Sequence, residues 1–162
     1  NGHDIVDGGT GNDLVRGQKG NDRLFGGDGR DTLIGNDGKD ELQGGTGLDT
    51  MTGGIGQDDF VFDESDFTDT GLTGSTADRI TDFSRGEGDL IDLSAIDAIF
   101  GGEDDAFTFI DSDAFSGAGG ELRYEFVDGY TMVFMDIDGD LAADFAIRVD
   151  GTLNLLATDF VL

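Results

Sequence analysis

Asp4, Asp13, Asp22, Asp31, Asp40, Asp49 and Asp58 fall nine residues apart, each inside the same glycine-rich phrase. The phrase is Gly-Gly-x-Gly-x-Asp-x-U-x, where U is apolar. Its clearest copies carry Gly8, Gly9 and Gly11 before Asp13, Gly26, Gly27 and Gly29 before Asp31, and Gly44, Gly45 and Gly47 before Asp49. A carboxylate recurring beside glycine turns supplies oxygen ligands and no soft donor, which suits a hard divalent cation, calcium above all. A period this short is the mark of a solenoid whose coils stack.

The U positions are Val6, Val15, Leu24, Leu33, Leu42, Met51 and Phe60, all apolar. The departures are small: Gln18 and Asn36 stand in the second glycine position and Ile55 fills a loose one. A flexible glycine-rich linker has no need of a phased apolar residue. The first six residues of each copy predict a turn, where glycine permits bends that a Cβ would block. The last three, as in Leu14-Val15-Arg16, predict a short strand with its central side chain inward. Two copies then make one coil of a right-handed parallel β-roll, so that turns n and n+2 meet on one edge. Seven turns give five such pairs, and about five interturn calcium ions are expected, each with ~6 oxygen ligands. Five divalent ions would move the formal charge from −27 to about −17. One inward side chain per nine residues cannot offset the ordering of the other eight. The roll is therefore expected to be disordered without metal and folded with it.

Composition sets the outer bounds. The 162 residues contain 36 acidic and 9 basic side chains, for a formal charge of −27. Self-repulsion on that scale opposes compaction unless counter-charge is bound. It also excludes a nucleic-acid partner, which needs a basic surface, and disfavours anionic membranes. Cysteine and proline are absent, so neither disulfides nor zinc-thiolate sites contribute. No apolar run approaches the roughly 20 residues that span a bilayer, and no membrane insertion is expected. The chain opens inside a repeat, at Asn1 and without a signal peptide, which reads as a piece of a longer protein.

The reading divides the chain into a roll at 1–62, a cap and connection at 63–100, and a β region at 101–162. Phe60 and Phe62 read as the last, bulkier roll strand, with Asp63 to Thr76 a loop across the open end. Ala77 to Ser84 and Asp89 to Ser94 read as two short strands around a glycine-bearing turn. Ser94 to Phe100 suggests a short helix or helical turn. From about Glu103 the pattern is β, with Ala106 to Ile110 one strand. Glu121 to Val127 and Tyr130 to Met135 flank Asp128-Gly129, a strong two-residue hairpin signal. That register places Leu122, Tyr124 and Phe126 opposite Met135, Val133 and Thr131. Phe145 to Val149 runs into a further turn at Asp150-Gly151. The 13 Phe residues read as core. The fold expected is all-β, a parallel roll capped by an antiparallel sandwich-like part.

Other sites are weaker. Asp136, Asp138 and Asp140, with Asp144 beyond, are spaced like a calcium loop, but Gly139 precedes Asp140 and the twelfth position is Ile147 rather than Glu. A solvated acidic turn explains them as well. Asp78, Asp82, Asp89 and Asp92 suit either a cation at the cap or strand-end turns. His3, the single histidine, reads as a surface turn residue, and no zinc site or catalytic triad can be built on it. The chain itself is not read as an enzyme.

The roll, the segment Asp78 to Ser94 and the tail together resemble the C-terminal domain of serralysin-type secreted zinc metalloproteases. The tail residues that carry the likeness are Ala114-Phe115-Ser116-Gly117, Glu121-Leu122-Arg123-Tyr124, Asp136-Ile137-Asp138-Gly139-Asp140, Ala143-Asp144-Phe145 and Asp159-Phe160-Val161-Leu162. The nonapeptides alone are shared among RTX toxins, lipases and epimerases. The resemblance implies a calcium-binding module with a type I secretion signal near its C-terminus, read by the secretion machinery while the chain is unfolded. It implies Gram-negative bacterial export to the extracellular space, folding there on calcium, and an upstream catalytic domain, with a zinc metalloprotease favoured. Alternatives are an alginate-binding accessory module of a mannuronan C-5-epimerase and the export module of a lipase or adhesin. Arg16, Arg23, Arg30 and Lys39 would supply the first with a basic stripe, though not at one repeated position.

Overall fold

The computed structural model describes residues 2–68, 71–99 and 105–162. Strands β1 (Ile5–Thr10), β3 (Arg23–Gly29), β5 (Glu41–Gly47) and β7 (Asp59–Asp63) stack in parallel in one sheet. Strands β2 (Leu14–Lys19), β4 (Thr32–Asp37) and β6 (Thr50–Ile55) stack in the sheet that faces it. Partners lie 18 residues apart, as in Val6 with Leu24 and Val15 with Leu33. Two nonapeptides therefore make one coil. The strands are longer than the three residues expected, because the ladder continues through the glycine turn. Gly27 pairs with Gly45 and Gln18 with Asn36.

Each U side chain points between the sheets. Leu24, Leu33, Leu42, Met51 and Phe60 are fully buried, while Val6, on the free edge of the first coil, is only half-buried.

The roll does not end at Phe62. Strands β8 (Asp78–Ile80) and β9 (Leu90–Ala95) are not a hairpin around the Arg85–Gly88 turn. They sit in opposite sheets, β8 parallel to β6 and β9 parallel to β7, and form another coil. The reason is an Asp-x-U phrase in each, Asp78-Arg79-Ile80 and Asp89-Leu90-Ile91. Ile80 stacks on Met51 and Ile91 on Phe60, both fully buried. The segment after β7 opens with a 3-10 helix, Glu64–Thr68. Ser94 and Ala95 extend β9 rather than starting a helix, and bends follow at residues 96, 98 and 99. Phe100 and Glu103 lie outside the described residues.

The C-terminal strands continue the same two sheets. β11 (Glu121–Val127), β12 (Tyr130–Asp136) and β13 (Phe145–Asp150) form an antiparallel meander, and β13 joins the roll by pairing in parallel with β8. The hairpin register is the one expected, with Leu122, Tyr124 and Phe126 opposite Met135, Val133 and Thr131. Asp128 and Gly129 both take positive φ, 41° and 93°, the two-residue turn that matches strand twist. The strand expected over Ala106 to Ile110 is only two residues long, β10 (Thr108–Phe109), parallel to β11. Strand β14 (Phe160–Val161) closes the other sheet against β9. Phe109 packs on Phe160 and Tyr124, with ring centroids 5.3 and 6.3 Å apart. One apolar core thus runs from Val15 in the first coil to Phe160.

The tail is held by more than its strand. Buried Asp159 accepts from Nε of Arg85 at 2.6 Å and also from its Nη2, and it accepts from the Leu156 amide at 2.8 Å. Arg85 lies in the turn that leads to β9.

Leu42 is the test of the file. Leu42→Ala removes a fully buried side chain from a core one residue wide and should cost about 2–5 kcal/mol. Urea denaturation of cation-loaded protein checks this, and an unchanged midpoint would contradict the packing.

Candidate metal centre

The aspartates that punctuate the repeats are brought together along two ladders, one running from Asp4 through Asp22, Asp40 and Asp58 and the other from Asp13 through Asp31 and Asp49. Each donates its backbone N–H to Oδ1 of the aspartate one coil later. Asp4 donates to Asp22, Asp13 to Asp31 and Asp22 to Asp40, each at 2.8 Å. Asp31 donates to Asp49 at 2.7 Å and Asp40 to Asp58 at 2.9 Å. Both ladders then leave the repeats without a break. Asp49 donates to Asp78 at 2.7 Å and Asp58 to Asp89 at 3.0 Å.

The second oxygen is the informative one. Oδ2 of Asp13, Asp22, Asp31, Asp40, Asp49, Asp58 and Asp78 is buried and accepts no hydrogen bond. An orphaned carboxylate oxygen away from water is costly, so a run of them in register calls for a cation. Asp89, at the end of the ladder that starts at Asp4, differs, since its Oδ2 accepts from the Ser84 amide at 2.8 Å.

Glycine makes room for the site. A Cβ on Gly26 would lie 2.6 Å from Oδ2 of Asp31 and 2.5 Å from the carbonyl oxygen of Gly44. One on Gly35 would lie 2.3 Å from Oδ2 of Asp40 and 2.6 Å from the Gly53 carbonyl. Gly8 and Gly44 make the same approach to Asp13 and Asp49. Carboxylate and carbonyl oxygens thus crowd the point that a side chain would fill. Gly9, Gly27 and Gly45 have positive φ, as do Gln18 and Asn36 in the same position, at 82° and 81°. The third glycine is excluded from substitution by contact as well. A Cβ on Gly29 would lie 2.1 Å from the Gly11 carbonyl oxygen, and one on Gly47 1.7 Å from that of Gly29. Gly11, at φ 113°, lies on the first coil with open space around it.

Burial acts on the carboxyls as the geometry requires. It pushes Asp31 and Asp40 above their ordinary value and raises Asp49 and Asp58 to about 7 and Asp78 to about 8, with neighbouring aspartates adding to the effect. Asp66, on the 3-10 helix, is fully buried and raised to about 7 by burial and by the charges of Asp63 and Asp49. It shares the field around Asp49 and Asp78, yet it lies off the nine-residue beat and nothing in the sequence marks it. Asp82 braces the turn above, accepting from the amides of Gly53 and Gly54 at 2.9 Å. Asp92 accepts from the Ser94 amide at 3.0 Å. His3 is exposed, with Nδ1 3.0 Å from the Asn21 carbonyl oxygen.

The acidic loop of the C-terminal part is different. Asp136, Asp138 and Asp144 converge, with ligand atoms within 4.8 Å, but Asp140 is not among them. Asp140 instead turns to the Ala142 amide at 2.8 Å. Both oxygens of buried Asp136 are taken, by the amides of Gly139 at 2.8 Å and Leu141 at 3.1 Å, and Asp144 accepts from Ile137 at 2.7 Å. The group braces the turn between β12 and β13, and Asp136 has no orphaned oxygen to offer. Two of the four residues considered for a basic stripe are already paired with carboxylates. Arg23 pairs with Glu41 at 3.1 Å and Lys39 with Asp59 at 2.9 Å.

The family described as peptidase M10 serralysin C terminal matches residues 6–162. Among solved structures, the chain is similar to the AlgE6R2 subunit of the Azotobacter vinelandii mannuronan C5-epimerase. That match has 28% identity and a TM-score of 0.69, covering 97% of this chain and 91% of that one. The AlgE6R3 subunit of the same enzyme matches at 26% identity and a TM-score of 0.65, over 95% of this chain and 80% of that one. No curated protein sequence matches at a significant level.

Two outcomes test the ladder. Asp31→Ala strips the acceptor from the Asp13 amide, a loss of about 1–3 kcal/mol, and removes a buried, orphaned carboxylate oxygen. The calcium concentration at half-folding should rise, and an unchanged titration midpoint would contradict the stacking register. The second is pH. The ladder carboxyls are raised from 3.8 in the folded state, so they favour folding fully below pH 4 and lose that effect as pH rises through about 7 to 8. Metal-free protein should therefore show more β signal by circular dichroism at pH 5 than at pH 8.5. The opposite trend would contradict it.

Proposed function

This chain belongs to the peptidase M10 serralysin C-terminal family, and on that premise we propose that it exports and folds an upstream secreted enzyme without catalysing a reaction itself. It is a calcium-binding RTX β-roll module. The observation that carries the proposal is the row of buried, orphaned Oδ2 atoms along the ladder. Without counter-charge these carboxylates oppose the coil stack, and with it they fasten the stack. In a calcium-poor cytosol the chain stays extended and fit for a type I exporter. Outside, millimolar calcium closes it.

The residues proposed to hold calcium are Asp4, Asp13, Asp22, Asp31, Asp40, Asp49 and Asp58 with the turn carbonyls around Gly8, Gly9, Gly11, Gly26, Gly27, Gly29, Gly44, Gly45 and Gly47. Asp78 extends the series. About five ions follow from the repeats alone, and the ladder's continuation to Asp78 and Asp89 leaves room for more. The acidic loop at Asp136 and Asp138 is a weaker candidate, and Asp140 does not support it. Calcium supplies charge neutralisation and a bridge between coils, and the glycines keep its space free of side chains. The C-terminal tail would carry the export signal, read before β14 seats. A zinc metalloprotease is the passenger most consistent with the family, and the passenger's catalytic domain and the type I secretion machinery are the partners proposed. The second reading, an accessory module that binds alginate, draws on the likeness to two modules of a mannuronan C5-epimerase.

Far-UV circular dichroism of chelator-stripped protein should show a coil-to-β transition on adding calcium and none with magnesium. A fully folded spectrum in chelator would overturn the switch. In a Gram-negative host with a type I exporter, a passenger fused to this chain should reach the medium, while the passenger alone stays inside.

A further inference from the structure

The coil stack ends irregularly at Asp49 and Asp78. Within the repeats, each orphaned carboxylate is approached by the carbonyl of a glycine one coil on. A Cβ on Gly8, Gly17, Gly26 or Gly35 would lie within 3.0 Å of the carbonyl oxygen of Gly26, Gly35, Gly44 or Gly53 respectively. At Gly44 the three nearest atoms, 2.5 to 3.0 Å away, all belong to Asp49, and no carbonyl stands as close. The residue one coil on is Thr73, placed before Asp78 as Gly44 is before Asp49. Its carbonyl oxygen is turned into its own loop, where it accepts from the amides of Thr76 and Ala77, each at 2.9 Å. Thr73 and Thr76 stand where the repeated phrase has glycine. The pair has therefore lost a carbonyl neighbour, while Oδ2 of both Asp49 and Asp78 stays buried without a donor.

A third carboxylate comes from outside the repeats. Asp66, on the 3-10 helix that follows β7, is fully buried. The main chain fixes it: Asp66 accepts from the Asp63 amide at 2.6 Å and from the amide of Gly45, in the turn that leads to Asp49. After burial, the Asp66 charge adds to the rise at Asp78, and the Asp49 charge to the rise at Asp66. The three carboxylates do not all lie within 4.8 Å of one another, so Asp66 acts through its charge rather than as a ligand. The opposite edge of the roll ends differently. Asp82 caps the amides of Gly53 and Gly54 there, but the Ser84 amide closes Oδ2 of Asp89, so the pair Asp58 and Asp89 keeps one open oxygen rather than two.

We propose that Asp66 sets the strength and selectivity of the cation site between Asp49 and Asp78, making it the tightest in the roll and the first to accept a trivalent cation. Carboxylate count tunes the affinity of an oxygen site, and a buried charge acts on its neighbours with little screening. A trivalent ion gains more from the same field than a divalent one. The proposal rests on the calcium reading and adds to it a residue outside the nonapeptides.

The test adds terbium, a paramagnetic lanthanide, to calcium-loaded protein in steps below one equivalent, and amide spectra show where it enters. Signals of residues 45–49, 63–66 and 78 should broaden first. Asp66→Asn keeps the shape and removes the charge. In that variant the broadening should spread over both ladders, and the free calcium at which the last ion leaves should rise by about tenfold. Ser65→Ala removes a hydrogen bond to Asp63 on the same helix, leaves the charge in place and should behave like the parent. Terbium entering the repeats first in the parent overturns the proposal, whether or not the variants fold. So does an Asp66→Asn variant that fills and empties like the parent, or a Ser65→Ala variant that matches Asp66→Asn. Circular dichroism of the parent in chelator and in calcium reads calcium-driven folding separately, so a failure here is told apart from a failure of the export reading.

Discussion

The whole architecture depends on one divided carboxylate. Asp22, Asp31, Asp40, Asp49, Asp58 and Asp78 each give one oxygen to the backbone of the preceding coil and leave the other buried without a donor. The first half sets the stacking distance and register. The second half makes that register unfavourable in the absence of positive charge. Glycine is required because the orphaned oxygen and a carbonyl from the next coil occupy the volume of a Cβ. The narrow apolar file inside fixes which way each strand faces, but it is too thin to hold the coils alone.

Much of this was legible in the residues. The nine-residue beat gave the coil, because period 18 in the ladder is twice the repeat and the U residues alternate between two walls. Asp128-Gly129 gave the hairpin and its register, since only a turn with two positive φ values joins strands so closely. The extra coil was harder to see. Asp78 and Asp89 keep the Asp-x-U phrase, but the glycine beat that announces it elsewhere is gone, and an inserted segment separates β7 from β8. Asp66 left no local trace, because its burial comes from tertiary packing of the 3-10 helix on β5 and β7. Asp140 failed for the opposite reason. Its spacing suits a metal loop, but spacing cannot show that backbone amides already claim the carboxylates of Asp136 and Asp144.

Charge is organised as well as abundant. The acidic residues that matter for the roll are buried and in line, whereas Lys19, Arg23 and Lys39 sit in largely exposed pairs between successive coils, with Asp37, Glu41 and Asp59, which contribute little. The exception is the face of β8 and β13, where two arginines share Asp150. There the meander joins the roll edge to edge, so charge and chain topology change at the same seam.

The clasp between Arg85 and Asp159 ties the last residues to that order of assembly. Arg85 is placed by the turn that Asp89 shapes through the amides of Asp58 and Ser84, and Asp159 reaches it only when β14 lies along β9. The chain terminus is therefore fastened by the final winding of the spiral and by no earlier one. It behaves as a tamper seal: an intact tail certifies that the winding beneath it is complete.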